Sequence, residues 1–373
     1  MKYALPLLLF CFAVGCSDEP GNDHDLGMDL AGIDDMSGTP PADLISATDA
    51  AAEPIVAPES KWTWIPVEGA VCSDGSQTGI GVNPGPDPSK MIIYLDGGGA
   101  CGSYQTCFQA HTASLGPYGQ AEFDERAANF EKPFVRTSPN NAFADYTLVF
   151  IPYCTADLHA GIRTLTYEAG GMSAVFHHNG HINVLRDMDR IAATWPSVQK
   201  LVFAGASGGG YGALINYGDA RERWPDATSY LIDDSGPPLE NDYASPLLSA
   251  WIVQWGVLDW AKGLCPECEA DVSKLIPNIA HRYPSDRMSL LESEADQVIS
   301  GFYLLDATDF ATAITELATD RIVPQPNFKS FYIEGNTHTM LGNLDAHMVG
   351  GVTANTFIQQ QLNDDPAWKS LAP

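Results

Sequence analysis

Positive charge is scarce in this chain: 19 Lys and Arg stand against 47 Asp and Glu in 373 residues, a formal net charge of −28. Phosphate contacts need clustered Lys and Arg, so nucleic acid is excluded as a partner, and a direct electrostatic grip on other polyanions is discouraged. Long apolar runs are also lacking. The one near the start, residues 5–14, is interrupted by Pro6 and falls short of the roughly 20 residues that a membrane-spanning helix needs. There is no repeat and no heptad pattern, which removes solenoids and coiled coils. No glycine-rich loop ends in Lys-Ser/Thr, so a phosphate loop is ruled out. The histidines of His177-His178-Asn179-Gly180-His181 lack the HExxH spacing, and adjacent side chains on an extended segment point opposite ways, which argues against a metal site.

What is present begins with an export signature. Lys2, an apolar run and the small residues Ala13-Val14-Gly15 before Cys16 read as a signal peptide over residues 1–16, with Cys16 as the expected lipidated N-terminus. By analogy, such a lipoprotein would attach to an outer membrane; an ordinary secretory cleavage is the rival. Residues 17–59 have no aromatic residue and no Lys or Arg, and they are rich in Asp, Gly, Ala and Pro. Such a stretch buries too little apolar surface to offset its ordering entropy, so it reads as a disordered acidic tether. Residues 60–373 are then one catalytic-sized domain. Its six cysteines, an even number in an exported chain, allow fifteen pairings. Proximity favours Cys101 with Cys107 and Cys265 with Cys268, which leaves Cys72 with Cys154.

Apolar runs at 91–95, 146–152, 200–204, 230–232, 288–291 and 328–333 predict strands, with 175–177 as a further one. Helical spacing recurs at 182–195 and 211–217. This βαβ rhythm predicts an α/β fold with a mostly parallel sheet flanked by helices. The rhythm weakens over 237–285, where Trp251, Trp255, Trp260 and the Cys265–Cys268 pair predict a lid or substrate wall; a peripheral helix packed by its tryptophans is the plainer alternative.

The strongest chemical signal is Gly205-Ala206-Ser207-Gly208-Gly209, because it follows an apolar strand and opens a helix. That context makes G-x-S-x-G a nucleophile elbow, with Ser207 thrown above the sheet and the Gly208 amide beside the developing oxyanion. Asp96-Gly97-Gly98-Gly99-Ala100, at an earlier strand end, supplies further oxyanion donors from Gly99 and Ala100. His338, after the run 328–333, is placed as general base, with His347 the local competitor. Asp296 is placed as the acid that orients it, with Asp306 as runner-up and Asp309 and Glu292 behind. Asp157, His159 and His178 are candidate substrate contacts on strand-end loops. Trp62, Trp64 and Tyr94 are assigned to packing.

At these motifs the chain resembles the pectin acetylesterase and Notum carboxylesterase family. The matching pieces are YLDGGGAC at 94–101, IPYCTADLHAG at 151–161, GASGGGYGA at 205–213, LLESEADQVI at 290–299 and NTHTML at 336–341. The resemblance implies an α/β-hydrolase fold and a triad on Ser207, Asp296 and His338, with oxyanion donors on Gly99, Ala100 and Gly208. It implies no cofactor and no metal. Two residues depart from the family pattern: Ala100 stands where tryptophan is usual, and Gly208 where alanine is common. The expected activity is hydrolysis of short acyl esters, such as O-acetyl groups of a polysaccharide. A lipid, aryl or polyester carboxylesterase is the alternative, and a non-catalytic glycan-binding surface lipoprotein is a third reading.

Overall fold

The computed structural model describes residues 53–373. The expected signal peptide, Cys16 and residues 17–52 of the tether lie outside the described residues. Residues 53–59 have no regular element, yet Ile55 is buried and its amide donates to Thr194 Oγ1 at 2.8 Å.

The chain opens with the antiparallel pair β1 (Thr63–Val71) and β2 (Gln77–Asn83). Then come β3 (Lys90–Leu95), α1 (Gln120–Ala128) and β4 (Thr147–Ile151), followed by a separate two-stranded hairpin of β5 (Arg163–Ala169) and β6 (Met172–His178). Helix α2 (Gly180–Ala192) leads to β7 (Lys200–Ala206), α3 (Gly208–Ile215), α4 (Tyr217–Arg223) and β8 (Thr228–Asp234). Helices α5 (Pro246–Gln254), α6 (Val257–Leu264) and α7 (Leu275–Arg282) precede β9 (Arg287–Ser293). Helices α8 (Gln297–Tyr303) and α9 (Ala307–Leu317) precede β10 (Phe328–Ile333). The short hairpin β11 (Met348–Val349) and β12 (Val352–Thr353) and helix α10 (Ala354–Leu362) close the chain.

The main sheet has eight strands in the order β1-β2-β4-β3-β7-β8-β9-β10. From β4 to β10 every pair is parallel, while β1 and β2 form an antiparallel edge. This is the α/β-hydrolase arrangement expected from the sequence. The expected strand at 175–177 exists but belongs to the β5–β6 hairpin, outside the main sheet.

The parallel strands carry apolar residues on both faces because both sheet faces are covered. Side chains alternate across a strand, and the two cores follow that alternation. Met91, Ile93, Leu201, Phe203 and Leu231 face one core with Val184, Met188 and Ile191 of α2. Ile92, Tyr94, Val202, Ala204, Tyr230 and Ile232 face the other with Phe123, Phe357 and Ile358. Trp64 and Tyr94 join the second core, and Trp62 packs against it.

Three disulfides close the cysteine inventory of the domain: Cys72–Cys154, Cys101–Cys107 and Cys265–Cys268. They fit a chain folded in an oxidising compartment. Among the described residues no helix is long and apolar enough to cross a membrane. Cys72–Cys154 spans a sequence separation of 82 and ties the end of β1 to the loop after β4. A ring of that size constrains the unfolded chain strongly. The Cys72→Ala/Cys154→Ala double variant is therefore expected to lose about 2–5 kcal/mol of stability. An unchanged urea midpoint would show that the ring holds little.

Candidate active site

Ser207 occupies the turn between β7 and α3, at the C-terminal edge of the sheet, with φ 57° and ψ −123°. A non-glycine residue in such a conformation is strained by about 1–3 kcal/mol and persists only where its surroundings impose it. Here they do: the Ser207 amide donates to Asp234 O at 2.7 Å, and its carbonyl accepts from Gly210 N at 2.9 Å. At Gly205 a Cβ would collide with the Gly209 carbonyl, so the sharp reversal requires glycine on the strand side. Side-chain exposure at Ser207 is small, and its hydroxyl makes no hydrogen bond among the described residues.

The loop after β3 runs alongside. Gly99 has φ +75°, a conformation that glycine adopts without strain, and its carbonyl accepts from Tyr153 Oη at 2.9 Å. Tyr153 Oη also accepts from Leu158 N at 2.8 Å, so one phenol joins the two loops. Among the expected oxyanion donors, the Gly99 and Gly208 amides have no partner among the described residues. The third, the Ala100 amide, donates to Thr112 O at 3.3 Å. A Cβ on Gly208 would meet Gly99 O at 3.4 Å, ordinary contact distance.

His338 and Asp296, 42 residues apart, meet through His338 Nδ1 and Asp296 Oδ2 at 2.7 Å. Asp296 is wholly buried. Its other oxygen caps α8, accepting from Val298 N at 2.8 Å and Ile299 N at 3.1 Å. The His338 loop is pinned back towards β8. Thr339 N donates to Ser235 Oγ at 3.2 Å, while Met340 N and Leu341 N donate to the Asp234 carboxylate at 2.8 and 2.7 Å. Asp234 therefore holds the Ser207 turn through its carbonyl and the His338 loop through its side chain. Sequence reading missed this double hold; the only signal was the Asp233-Asp234-Ser235-Gly236 strand end.

Burial also raises the acids beneath the site. The Asp234 carboxyl is pushed up to about 6 by burial, against the two amides that stabilise its ionised form. Asp233 and Glu292 are buried as deeply and lie well above the usual carboxylate range for the same reason. Glu292 Oε1 accepts from Ser293 N at 2.7 Å at the start of the turn that carries Asp296. The alternatives to Asp296 lie elsewhere. Asp306 is exposed and caps α9, its Oδ1 accepting from Thr308 N and Asp309 N at 2.9 Å. Asp309 is exposed in the first turn of that helix. His347 sits half-buried before β11 and makes no ion pair among the described residues.

The structure places Asp157, His159 and His178, the candidate substrate contacts, in buried positions. Asp157 accepts from Thr155 Oγ1 and Gly180 N, both at 2.7 Å, and burial pushes its carboxyl to about 6. Burial lowers His159 to about 4, and its neutral ring donates Nε2–H to Asp96 O at 2.8 Å. His178, lowered to about 3 by burial, lies between Thr155 O and Tyr167 Oη. These three brace a turn in which Ala156, Leu158 and His159 all have positive φ. What that turn offers the site is Leu158.

Leu158, Ala100, Ser207 and Gly208 border an apolar cavity of about 190 Å³. Its walls come from Leu214 of α3, Leu239, Leu248 and Ile252 of α5, Trp255, and Phe302 of α8. The segment expected to wall the substrate contributes Pro238 through Leu275. Trp251 and Trp255 are buried, and Trp260 stacks on His181 with centroids 3.6 Å apart. Tyr211 and Tyr303, both on the cavity wall, donate to the same Pro237 carbonyl at 3.0 Å. Among the described residues no cluster of three His, Cys, Asp or Glu side chains could hold a metal.

Comparison with known proteins gives a consistent picture. The pectinacetylesterase family matches residues 60–245. A palmitoleoyl-protein carboxylesterase NOTUM of Schmidtea mediterranea is 28% identical over 157 residues, covering 41% of this chain and 28% of its own length. Pectin acetylesterase 4 of Arabidopsis thaliana is 27% identical over 177 residues, covering 45% of this chain and 41% of its own. The human palmitoleoyl-protein carboxylesterase NOTUM is 23% identical over 177 residues, 46% of this chain and 34% of its own. The chain thus spans well under half the length of these relatives.

Proposed function

With residues 60–245 belonging to the pectinacetylesterase family, we propose that the chain is a serine carboxylesterase whose acyl group is an apolar chain longer than acetyl. The observation that carries this reading is the apolar cavity with Ser207 and Gly208 at its edge. Acetyl needs room for one methyl group; Leu158, Leu248, Ile252 and Trp255 offer walls that only a longer or bulkier chain would desolvate, each buried CH2 being worth about 0.8 kcal/mol. Ala100 leaves this wall open where a tryptophan would fill it.

In this mechanism Ser207 Oγ attacks the ester carbonyl and His338 Nε2 takes its proton. Asp296 Oδ2 holds His338 Nδ1–H, which fixes the tautomer with a free lone pair on Nε2 and stabilises the imidazolium. Ser207 Oγ and His338 share no hydrogen bond among the described residues, as is common in substrate-free sites, where catalytic hydrogen bonds are often long and tighten in the complex. The oxyanion takes the Gly99 and Gly208 amides. The C–O bond to the alcohol then breaks, and the alcohol leaves with the proton from His338. Water, deprotonated by the same histidine, attacks the acyl-enzyme and releases the acid.

O-deacetylation of a polysaccharide is the second reading, favoured by the family match and by the name of the Arabidopsis relative. Export and lipidation at Cys16 remain part of the proposal. The test is a series of p-nitrophenyl esters from acetyl to dodecanoyl, with a fluorophosphonate adduct mapped by mass spectrometry. Labelling at Ser207 and a kcat/KM maximum beyond acetyl are expected. A maximum at acetyl would return the function to deacetylation. No labelling and no turnover would leave the glycan-binding reading.

A further inference from the structure

The proposed reaction leaves one part of the substrate unassigned. The leaving alcohol must lie within reach of His338, on the side away from the acyl cavity. The His338 loop starts at the end of β10, where Gly335 O accepts from Ala295 N at 2.9 Å, and returns to β8 at Met340. Neighbouring strands are about 4.8 Å apart, so this return covers roughly 10 Å along the edge of the sheet. At its β10 end, on the same C-terminal edge as Ser207, opens a groove of about 400 Å³.

The groove is lined by Glu334 and Thr337 of the loop, and by His347, Met348 and Val349 from the facing β11 segment. Its chemistry is the reverse of the cavity's. Glu334 is an exposed carboxylate that accepts hydrogen bonds, Thr337 can donate or accept, and His347 is half-buried. Burial lowers the His347 pKa, so its ring is neutral near pH 7 and offers one donor and one acceptor. Met348, 60% exposed, supplies a soft apolar surface beside these polar groups. Hydroxyls in alternation with C–H faces are what such a lining matches. The carboxylate and the acidic chain around it disfavour an anionic ligand.

We propose that the groove between Glu334, Thr337 and His347 binds the alcohol part of the substrate, and that this alcohol is an uncharged polyhydroxylated chain such as a neutral oligosaccharide. Thr337 of the lining directly precedes His338, so an alcohol held at His338 meets the groove where further sugar units extend it. The ester would then be amphiphilic, with an apolar acyl group in the cavity and a neutral glycan in the groove.

This inference rests on the esterase reading, and its test separates the two. Three hexanoyl esters are compared: of p-nitrophenol, of a neutral disaccharide and of a uronic-acid disaccharide. For the wild type, kcat/KM on the neutral disaccharide should exceed that on the uronate by at least tenfold. Glu334→Gln and His347→Gln should each raise KM for the neutral disaccharide ester about tenfold, the equivalent of one lost hydrogen bond to a charged or well-aligned group. Both should leave the p-nitrophenyl ester unchanged, because p-nitrophenol carries no sugar hydroxyls for Glu334 or His347 to bind. Equal effects on both esters, no effect on either, or preference for the uronate would overturn the groove assignment. Should no ester turn over, calorimetric titration of the wild type with the free disaccharides still decides. Neutral-sugar binding weakened by either variant supports the groove while the esterase reading falls, and no binding removes both.

Discussion

Ser207→Ala is expected to lower ester turnover by on the order of ten thousand to a million-fold while leaving substrate affinity and melting temperature nearly unchanged. The reason lies in how little of the surroundings depends on the hydroxyl. Ser207 is held in its strained turn through backbone atoms, its amide on Asp234 O and its carbonyl on Gly210 N. Alanine meets the same backbone cost as serine at φ 57°, so the elbow should keep its shape. The cavity walls are contributed by other side chains and stay in place. Only the nucleophile is removed, and the residual rate should come from the Gly99 and Gly208 amides acting on water attack. Measured kcat and KM for p-nitrophenyl hexanoate, with thermal unfolding of both proteins, check this. A variant that keeps a tenth of the activity would remove Ser207 from the chemistry altogether.

Asp296→Asn is the second large effect, on the order of a thousand- to ten-thousand-fold in kcat. Asp296 makes two kinds of contact, Oδ1 to the Val298 and Ile299 amides and Oδ2 to His338 Nδ1. Asparagine can satisfy the first with its carbonyl oxygen, so the cap on α8 survives. Its NH2 then points at His338 and must donate, which forces Nδ1 to become the acceptor and moves the ring proton to Nε2. That tautomer presents a hydrogen where the Ser207 proton should go. KM and stability should change little, in contrast to Asp296→Ala, which also loses the cap at a cost of about 1 kcal/mol. Equal kcat for wild type and Asp296→Asn, with the fold intact, would show that this carboxylate does not orient the base.

Much of this arrangement was legible in the sequence, for identifiable reasons. Strands β3, β4, β7, β8, β9 and β10 stand out as apolar runs because both their faces are covered. The antiparallel strands β1 and β2 do not, since Pro66 and Gly69 interrupt the first and glycines alternate through the second. Residues 175–177 were readable as extended, yet nothing local tells a main-sheet strand from a hairpin arm. Ser207 was legible because its turn is specified by adjacent residues. Asp296 and His338 were reachable only as positions after late strands; their meeting is a long-range fact. The burial of Asp157, His159 and His178 was not legible, because a polar residue near a strand end reads as a surface group. All three are buried and hydrogen-bonded, and Asp234 is buried and holds the Met340 and Leu341 amides in the same way.

The Pro237 carbonyl, shared by Tyr211 and Tyr303, bears on how this site can change over generations. Tyr211 belongs to the helix after the candidate nucleophile and Tyr303 to the helix capped by Asp296. One acceptor with two donors gives redundancy: either phenol can be lost while the other still satisfies the carbonyl. For that carbonyl the two positions are therefore epistatic: loss of either hydroxyl leaves it paired, and loss of both strands it. A lineage that has lost the Tyr211 hydroxyl has made Tyr303, which also accepts from Leu239 N, the sole remaining donor to it among the described residues.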